Sequence, residues 1–139
     1  MEEKLVLIVD DDRLPMRFYV RALEQKGFAV KHCLDSESAL DFVKKEGAAI
    51  RIVILDIMMP PGTYSAEETN EGLRTGFFLL KDLRKECPNV PVLVLTNVKN
   101  EDTLKEFKEG ALLKVVQKMY CPPFDLVELV EEMASGADN

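Results

Sequence analysis

The stretch Leu5-Val6-Leu7-Ile8-Val9-Asp10-Asp11-Asp12 is an apolar run that ends abruptly in acidic residues. Three further apolar runs also end on a polar residue, and these end at Asp56, Thr96 and Lys118. Short apolar runs that end in this way are typical of strands buried on both faces, as in a parallel sheet. In such sheets ligands bind beyond the carboxyl ends of the strands. The sequence therefore predicts that carboxylates, a hydroxyl and an ammonium group meet at one edge of a sheet.

Helical patterns alternate with these strands along the chain. A further strand is predicted over residues 28–33, with helices over residues 13–26, 37–45, 76–86, 101–109 and 124–133. Ser36 and Thr75 are expected to be the N-caps of the second and third helices, and Asp12 that of the first. Five strand–helix units imply right-handed crossovers. We therefore expect an α/β fold, a single doubly wound five-stranded parallel sheet with helices on both faces, which is flavodoxin-like.

One connection breaks this rhythm. Residues 57–74 separate Asp56 from the third helix, whereas such connections usually contain roughly 2 to 6 residues. A connection of this length in a compact domain is typically either functional or disordered, and the sequence leaves both readings open. Because the segment starts beside Asp56, we expect residues 60–74 to form a partner surface or a lid.

Composition limits the classes of function. The chain has 139 residues and a net charge of 18 − 25 = −7, which predicts one domain over residues 1–139 and disfavours binding to nucleic acid or to anionic membranes. Protein partners are expected instead. The acidic start leads directly into a strand and does not resemble a secretory signal, and the three cysteines show no ligand-like spacing. A cytoplasmic location is therefore expected.

The predicted edge has the residue types of a phosphoryl-transfer site. Asp10, Asp11 and Asp56 bring like charges together, which is unfavourable unless one is protonated or a cation lies among them. Oxygen ligands of this kind suit Mg²⁺. Asp56 follows the middle strand in sequence order and is the candidate nucleophile, while Thr96 and Lys118 could each contact a phosphoryl oxygen.

The chain resembles the receiver domain of two-component response regulators over about residues 4–133. The matching pieces are Val9-Asp10-Asp11, Leu55-Asp56-Ile57-Met58-Met59-Pro60, Leu95-Thr96, Gly110-Ala111, and Lys118 with Pro123-Phe124. The resemblance implies that Asp56 accepts a phosphoryl group from the phosphohistidine of a histidine kinase or phosphotransfer protein. It also implies that Asp10, Asp11, Asp56 and the main-chain carbonyl of Met58 hold Mg²⁺. Thr96 and Lys118 would read the phosphorylated state for a downstream protein target.

The chain departs from the family's pattern around the lysine. Two alternatives stay open there: the loop carries an insertion after Lys118, or Pro122 takes the lysine's usual position and Lys114 substitutes for it. The family's switch aromatic is replaced by Val115, and Tyr120 is the candidate substitute. Residues 57–74 also make the connection before the third helix about a dozen residues longer than the family's usual one.

Two other functions compete with the phosphoacceptor switch. One is a degenerate receiver that binds protein without being phosphorylated, suggested by the irregular lysine loop. The other is a phosphohydrolase with an aspartyl nucleophile, which is disfavoured because such enzymes need an acid two residues after the nucleophile and Met58 occupies that position. Beyond Mg²⁺-dependent self-phosphorylation and autodephosphorylation, no enzymatic activity is expected. Since Met58 and Val98 are both apolar and cannot hold a water, the phosphorylated form should be long-lived.

Overall fold

The computed structural model describes residues 4–136 and contains one sheet of five parallel strands. In chain order the strands are β1 (Leu5–Val9), β2 (Ala29–Cys33), β3 (Ile50–Leu55), β4 (Val92–Thr96) and β5 (Leu113–Gln117). Their order across the sheet is β2-β1-β3-β4-β5, and each adjacent pair is parallel. This is the flavodoxin-like strand order, which confirms the predicted fold.

Five helices cover both faces of this sheet. They are α1 (Arg13–Gln25), α2 (Ser36–Glu46), α3 (Thr75–Glu86), α4 (Glu101–Lys105) and α5 (Pro123–Gly136). Alternate residues of a strand point to opposite faces. Val6 and Ile8 of β1 therefore pack with α1 and α5, whereas Leu7 and Val9 pack with α2 and α3. The all-apolar composition of β1, β3 and β4 follows from burial on both sides.

The helix ends differ from the prediction in three places. Asp35, not Ser36, caps α2, because its carboxylate accepts a hydrogen bond from the Ser38 N–H. Thr75 lies inside α3 as its first residue, and its hydroxyl makes a tertiary contact instead of a cap. Asp12 occupies the N-cap position of α1, but its side chain makes no capping hydrogen bond.

The fourth helix is much shorter than the predicted span of residues 101–109. It ends at Lys105, after which the chain turns and buries Phe107 in the core. Glu109 then accepts a hydrogen bond from the Val115 N–H with its carboxylate. Burial of Phe107 between α3 and the sheet therefore overrides the local helical pattern. Within residues 4–136, none of the helices has the length and apolarity needed to cross a bilayer.

Candidate functional site

The candidate site lies where the strand order reverses, between the carboxyl ends of β1 and β3. Asp10 and Asp56 directly follow these adjacent strands, and their backbones continue the ladder: Asp10 N–H donates to the Cys33 carbonyl at 3.1 Å and Asp56 N–H donates to the Val9 carbonyl at 3.0 Å. Both residues are buried, with exposed fractions of 1% and 7%. A switch point of this kind is the usual ligand site of a doubly wound sheet. The structure thus brings together two of the predicted carboxylates.

Lys118 reaches both of these carboxylates. Its Nζ lies 2.8 Å from Asp10 Oδ2 and 3.4 Å from Asp56 Oδ2, and its side chain is largely buried. The residue starts a short 3₁₀ turn, Lys118–Tyr120, which accommodates the residues inserted before the proline pair. Lys114 is exposed on β5. Of the alternatives left open by the sequence, the geometry places Lys118 at the site.

Protonation at the site reflects a balance between burial and charge. Burial raises the pKa of Asp56, and Asp10 adds to this, whereas Lys118 and the Thr96 hydroxyl favour the ionised carboxylate. Burial alone would lower the pKa of Lys118, but its hydrogen bond to Asp10 and the charge of Asp56 raise it overall. Lys118 therefore remains an ammonium group beside the candidate nucleophile.

Thr96 connects the site to the loop before α4. The residue is completely buried at the carboxyl end of β4, next to the strand that leads to Asp56, and its hydroxyl lowers the pKa of the Asp56 carboxyl. Its Oγ1 also accepts a hydrogen bond from the Val98 N–H at 3.2 Å. A movement of the Thr96 hydroxyl would therefore directly displace the backbone that leads into α4.

The donor set fits a magnesium ion. One carboxylate oxygen from each of Asp10, Asp11 and Asp56 can be chosen so that all three lie within 4.8 Å of one another. All are hard oxygen donors, as Mg²⁺ requires. Asp11 lies at the mouth of the site, and the residue as a whole is exposed. Its carboxyl is nevertheless partly shielded from water, and this shielding and the charge of Asp10 raise its pKa. The backbone N–H of Asp12 donates to Asp10 Oδ1 at 2.9 Å and so orients that carboxylate.

An open depression of about 550 Å³ leads to Asp56. Its wall includes residues from both ends of the long connection (residues 57–74), together with acids and Lys118. The lining residues are Asp11, Asp12, Asp56, Met58, Met59, Pro60, Pro61, Glu71, Gly72, Leu73, Asn97 and Lys118. Val98 is partly buried and packs against the core cluster under α2 and α3. Met58 lines the depression and is the apolar residue that we expect beside a water attacking a phosphorylated Asp56.

The long connection is folded. Asn70, Glu71 and Gly72 all have left-handed backbone angles, with φ of 53°, 58° and 94°. The Met59 N–H donates to the Gly72 carbonyl at 3.1 Å, and the Thr75 hydroxyl donates to the Met59 carbonyl at 2.6 Å. These bonds join both ends of the connection close to the nucleophile.

Two contacts at the site carried no signal in the sequence. His32 Nε2–H donates to the Asp10 carbonyl at 2.8 Å, which gives the single histidine a structural role beside the site. Gly76 lies so close to the nucleophile's backbone that an added Cβ would sit 2.3 Å from the Asp56 carbonyl oxygen. Each contact depends on a neighbouring strand or helix, and residue spacing does not reveal it.

Comparison with known proteins identifies the family. Residues 6–133 match the model of the response regulator receiver domain. Regulatory protein VanRc of Enterococcus gallinarum is 35% identical over 102 residues, which are 73% of this chain and 37% of that protein. Response regulator MprA of Mycolicibacterium vanbaalenii is 31% identical over 129 residues, which are 92% of this chain and 48% of that protein.

Solved structures show the same fold. A response regulator receiver domain protein (CheY-like) from Methanospirillum hungatei JF-1 matches with a TM-score of 0.77 and 22% identity, over 99% of this chain and 98% of that one. The chain belongs to the response regulator receiver domain family of two-component signalling proteins. It spans about half or less of the length of the two curated relatives named above.

Proposed function

We propose that this protein is a phosphoacceptor switch in which Asp56 takes a phosphoryl group from a phosphohistidine of a histidine kinase or phosphotransfer protein. The observation that carries the proposal is the environment of the Asp56 carboxylate. It lies beside Asp10, the Lys118 ammonium is 3.4 Å away, and the Thr96 hydroxyl lowers its pKa; an ammonium and a hydroxyl are both able to bind phosphoryl oxygens. The receiver core would cover about residues 4–133.

In the proposed transfer, a carboxylate oxygen of Asp56 forms a bond to phosphorus. The phosphorus–nitrogen bond of the phosphohistidine breaks, and its electron pair stays on the imidazole nitrogen. Lys118 and Thr96 donate to the phosphoryl oxygens and hold them in line, since catalysis of this kind consists mainly of positioning and charge stabilisation. When bound by Asp10, Asp11, Asp56 and the Met58 carbonyl, Mg²⁺ would neutralise charge on the transferred group.

A small-molecule phosphodonor tests the acceptor. Wild-type protein incubated with phosphoramidate and Mg²⁺ should gain one phosphoryl mass, Asp56→Asn should gain none, and Asp41→Asn, at an exposed position of α2, should react as the wild type does. Intact-mass spectrometry and peptide mapping provide the readout. Labelling of Asp56→Asn would refute the assignment of Asp56.

The same experiment separates the switch from its competitor. A wild-type protein that is not labelled under any Mg²⁺ concentration, yet remains folded, would favour the degenerate, phosphorylation-independent module. Mg²⁺ binding followed by calorimetry gives an independent check. Asp11→Asn should weaken that binding strongly, because it removes a charged oxygen ligand, and an unchanged affinity would place the metal elsewhere.

A further inference from the structure

The long connection (residues 57–74) is attached to the backbone that follows the nucleophile. The Gly72 carbonyl accepts from the Met59 N–H, and the Thr75 hydroxyl donates to the Met59 carbonyl. The two backbones lie close together here, because an added Cβ at Gly72 would lie 2.5 Å from the Met59 oxygen. A displacement of the end of the connection is therefore transmitted to the segment that carries Asp56 and Met58.

The same end of the connection is attached to the end of α4 by Arg74. Its Nε and Nη2 donate to Glu106 Oε2 at 3.1 and 2.6 Å, and Glu106 is the C-cap residue of α4. The guanidinium also lies over the rings of Phe77 and Phe78, 5.2 and 5.7 Å from their centroids. An isolated surface ion pair contributes little, but two hydrogen bonds to one oxygen and the ring contacts hold this guanidinium in one position.

A second route joins α4 to the site from its other end. Thr96 lies buried at the carboxyl end of β4, next to the strand that leads to Asp56, and its Oγ1 accepts from the Val98 N–H. Asn100 then caps α4 by accepting from the Thr103 N–H at 3.1 Å. Together the two routes attach both ends of α4 to the site: one runs from Thr96 to the start of α4, and the other runs from Glu106 to Arg74, whose neighbours Gly72 and Thr75 bond to Met59.

We propose that Arg74 is a positioning residue of the acceptor site, which acts through Glu106 and through its neighbours Gly72 and Thr75 to hold α4 and the long connection in the arrangement described above. The inference rests on the proposed phosphoacceptor function. A phosphoryl group on Asp56 adds charge that draws the Thr96 hydroxyl inward, and the backbone leading into α4 must follow. The Arg74–Glu106 pair resists that shift because it ties the far end of α4 to the same segment. Breaking the pair should therefore favour the phosphorylated arrangement.

The test measures affinity for beryllofluoride, a tetrahedral phosphoryl mimic, in the presence of saturating Mg²⁺. We expect Glu106→Gln and Arg74→Gln each to raise the affinity about fivefold, a typical size for coupling between sites. The double variant should show no further gain, because both substitutions remove the same contact. Lys85→Gln is the matched control. It removes an exposed ion pair with Asp82 within α3 that does not reach α4, so its affinity should equal that of the wild type.

A second readout needs no phosphoryl mimic. In Glu106→Gln, hydrogen exchange should accelerate both at the last turn of α4 and at the amides of Met59 and Arg74, because one contact holds both segments. Unchanged or lowered beryllofluoride affinity in the single variants, additive effects in the double variant, or faster exchange confined to α4 would each overturn the inference. Failure of the wild type to be phosphorylated or to bind the mimic would refute the proposed function itself, a result distinct from these.

Discussion

At the scale of single residues, Lys118 is the counter-charge of two buried carboxylates. Lys118→Gln should destabilise the protein by about 3 kcal/mol at neutral pH, because Asp10 and Asp56 would remain buried without a cation. Urea unfolding followed by circular dichroism measures this loss. Lys114→Gln is the control, since that lysine is exposed on β5, the strand just before Lys118, and the free energy of unfolding of this variant should change little.

The pH dependence of this variant has a defined sign. The pKa of Lys118 is raised above 10.5 in the folded protein, so its stabilising effect is present below that pH and is lost as the pH rises through the raised value. At acidic pH the effect also fades. Because the pKa of Asp56 lies above 3.8, this carboxyl is protonated early as the pH falls and no longer needs a counter-charge. A difference between wild type and Lys118→Gln that grows on acidification would contradict the pairing.

We predict that Met58 controls the lifetime of a phosphorylated Asp56. Hydrolysis needs a water in line with the bond to phosphorus, and an apolar, partly exposed methionine at the depression cannot hold one. Met58→Asn should therefore speed loss of the phosphoryl group severalfold, while Met58→Leu should leave the rate unchanged. The rate of phosphoryl loss is measured by mass spectrometry as the decay of the phosphorylated mass after the donor is removed. Equal decay in all three proteins would exclude control by water access at this position.

At the scale of elements, both ends of the long connection (residues 57–74) form part of the site wall. Gly72→Ala should cost about 2 kcal/mol, because the residue has a φ of 94° and its Cβ would lie 2.5 Å from the Met59 oxygen. Gly110→Ala is the control, since nothing lies within 4 Å of a Cβ there. Thermal unfolding of the two variants makes the comparison. Equal melting temperatures would show that the connection adjusts freely.

At the scale of the whole molecule, we expect phosphorylation of Asp56 to change the structure mainly on the side of the domain formed by α4, β5 and α5. Thr96 leads into α4, and β5 and α5 border an open groove that includes Val115, Tyr120 and Leu129. We expect amide shifts on phosphorylation to concentrate in α4, β5 and α5, with Tyr120 as the relay because Val115 has no hydroxyl. Two-dimensional NMR of the phosphorylated protein maps these shifts. Changes confined to α2 and β2 would contradict this route.

Much of the fold and site could be predicted from local patterns. Each strand run and the polar residue at its end are properties of a few consecutive residues, and parallel packing brings all such ends to one edge. Asp10, Asp11, Asp56, Thr96 and the five-stranded sheet could therefore be predicted. The helix caps were less predictable. Asp35 and Ser36 are adjacent candidates for the same N-cap, and Asp35 is the residue that caps α2. The Thr75 hydroxyl donates to the Met59 carbonyl, which belongs to a segment distant in sequence.

Local composition is enough to predict the alternation of strands and helices, since a strand buried on both faces must consist of consecutive apolar residues. Which lysine enters the site depends instead on tertiary packing, because the path of the turn after β5 depends on how α5 packs. Tertiary packing also ended α4 early by burying Phe107, and it joined Arg74 to Glu106 across 32 positions of sequence. Contacts of this kind depend on the arrangement of separate elements, which no local pattern encodes.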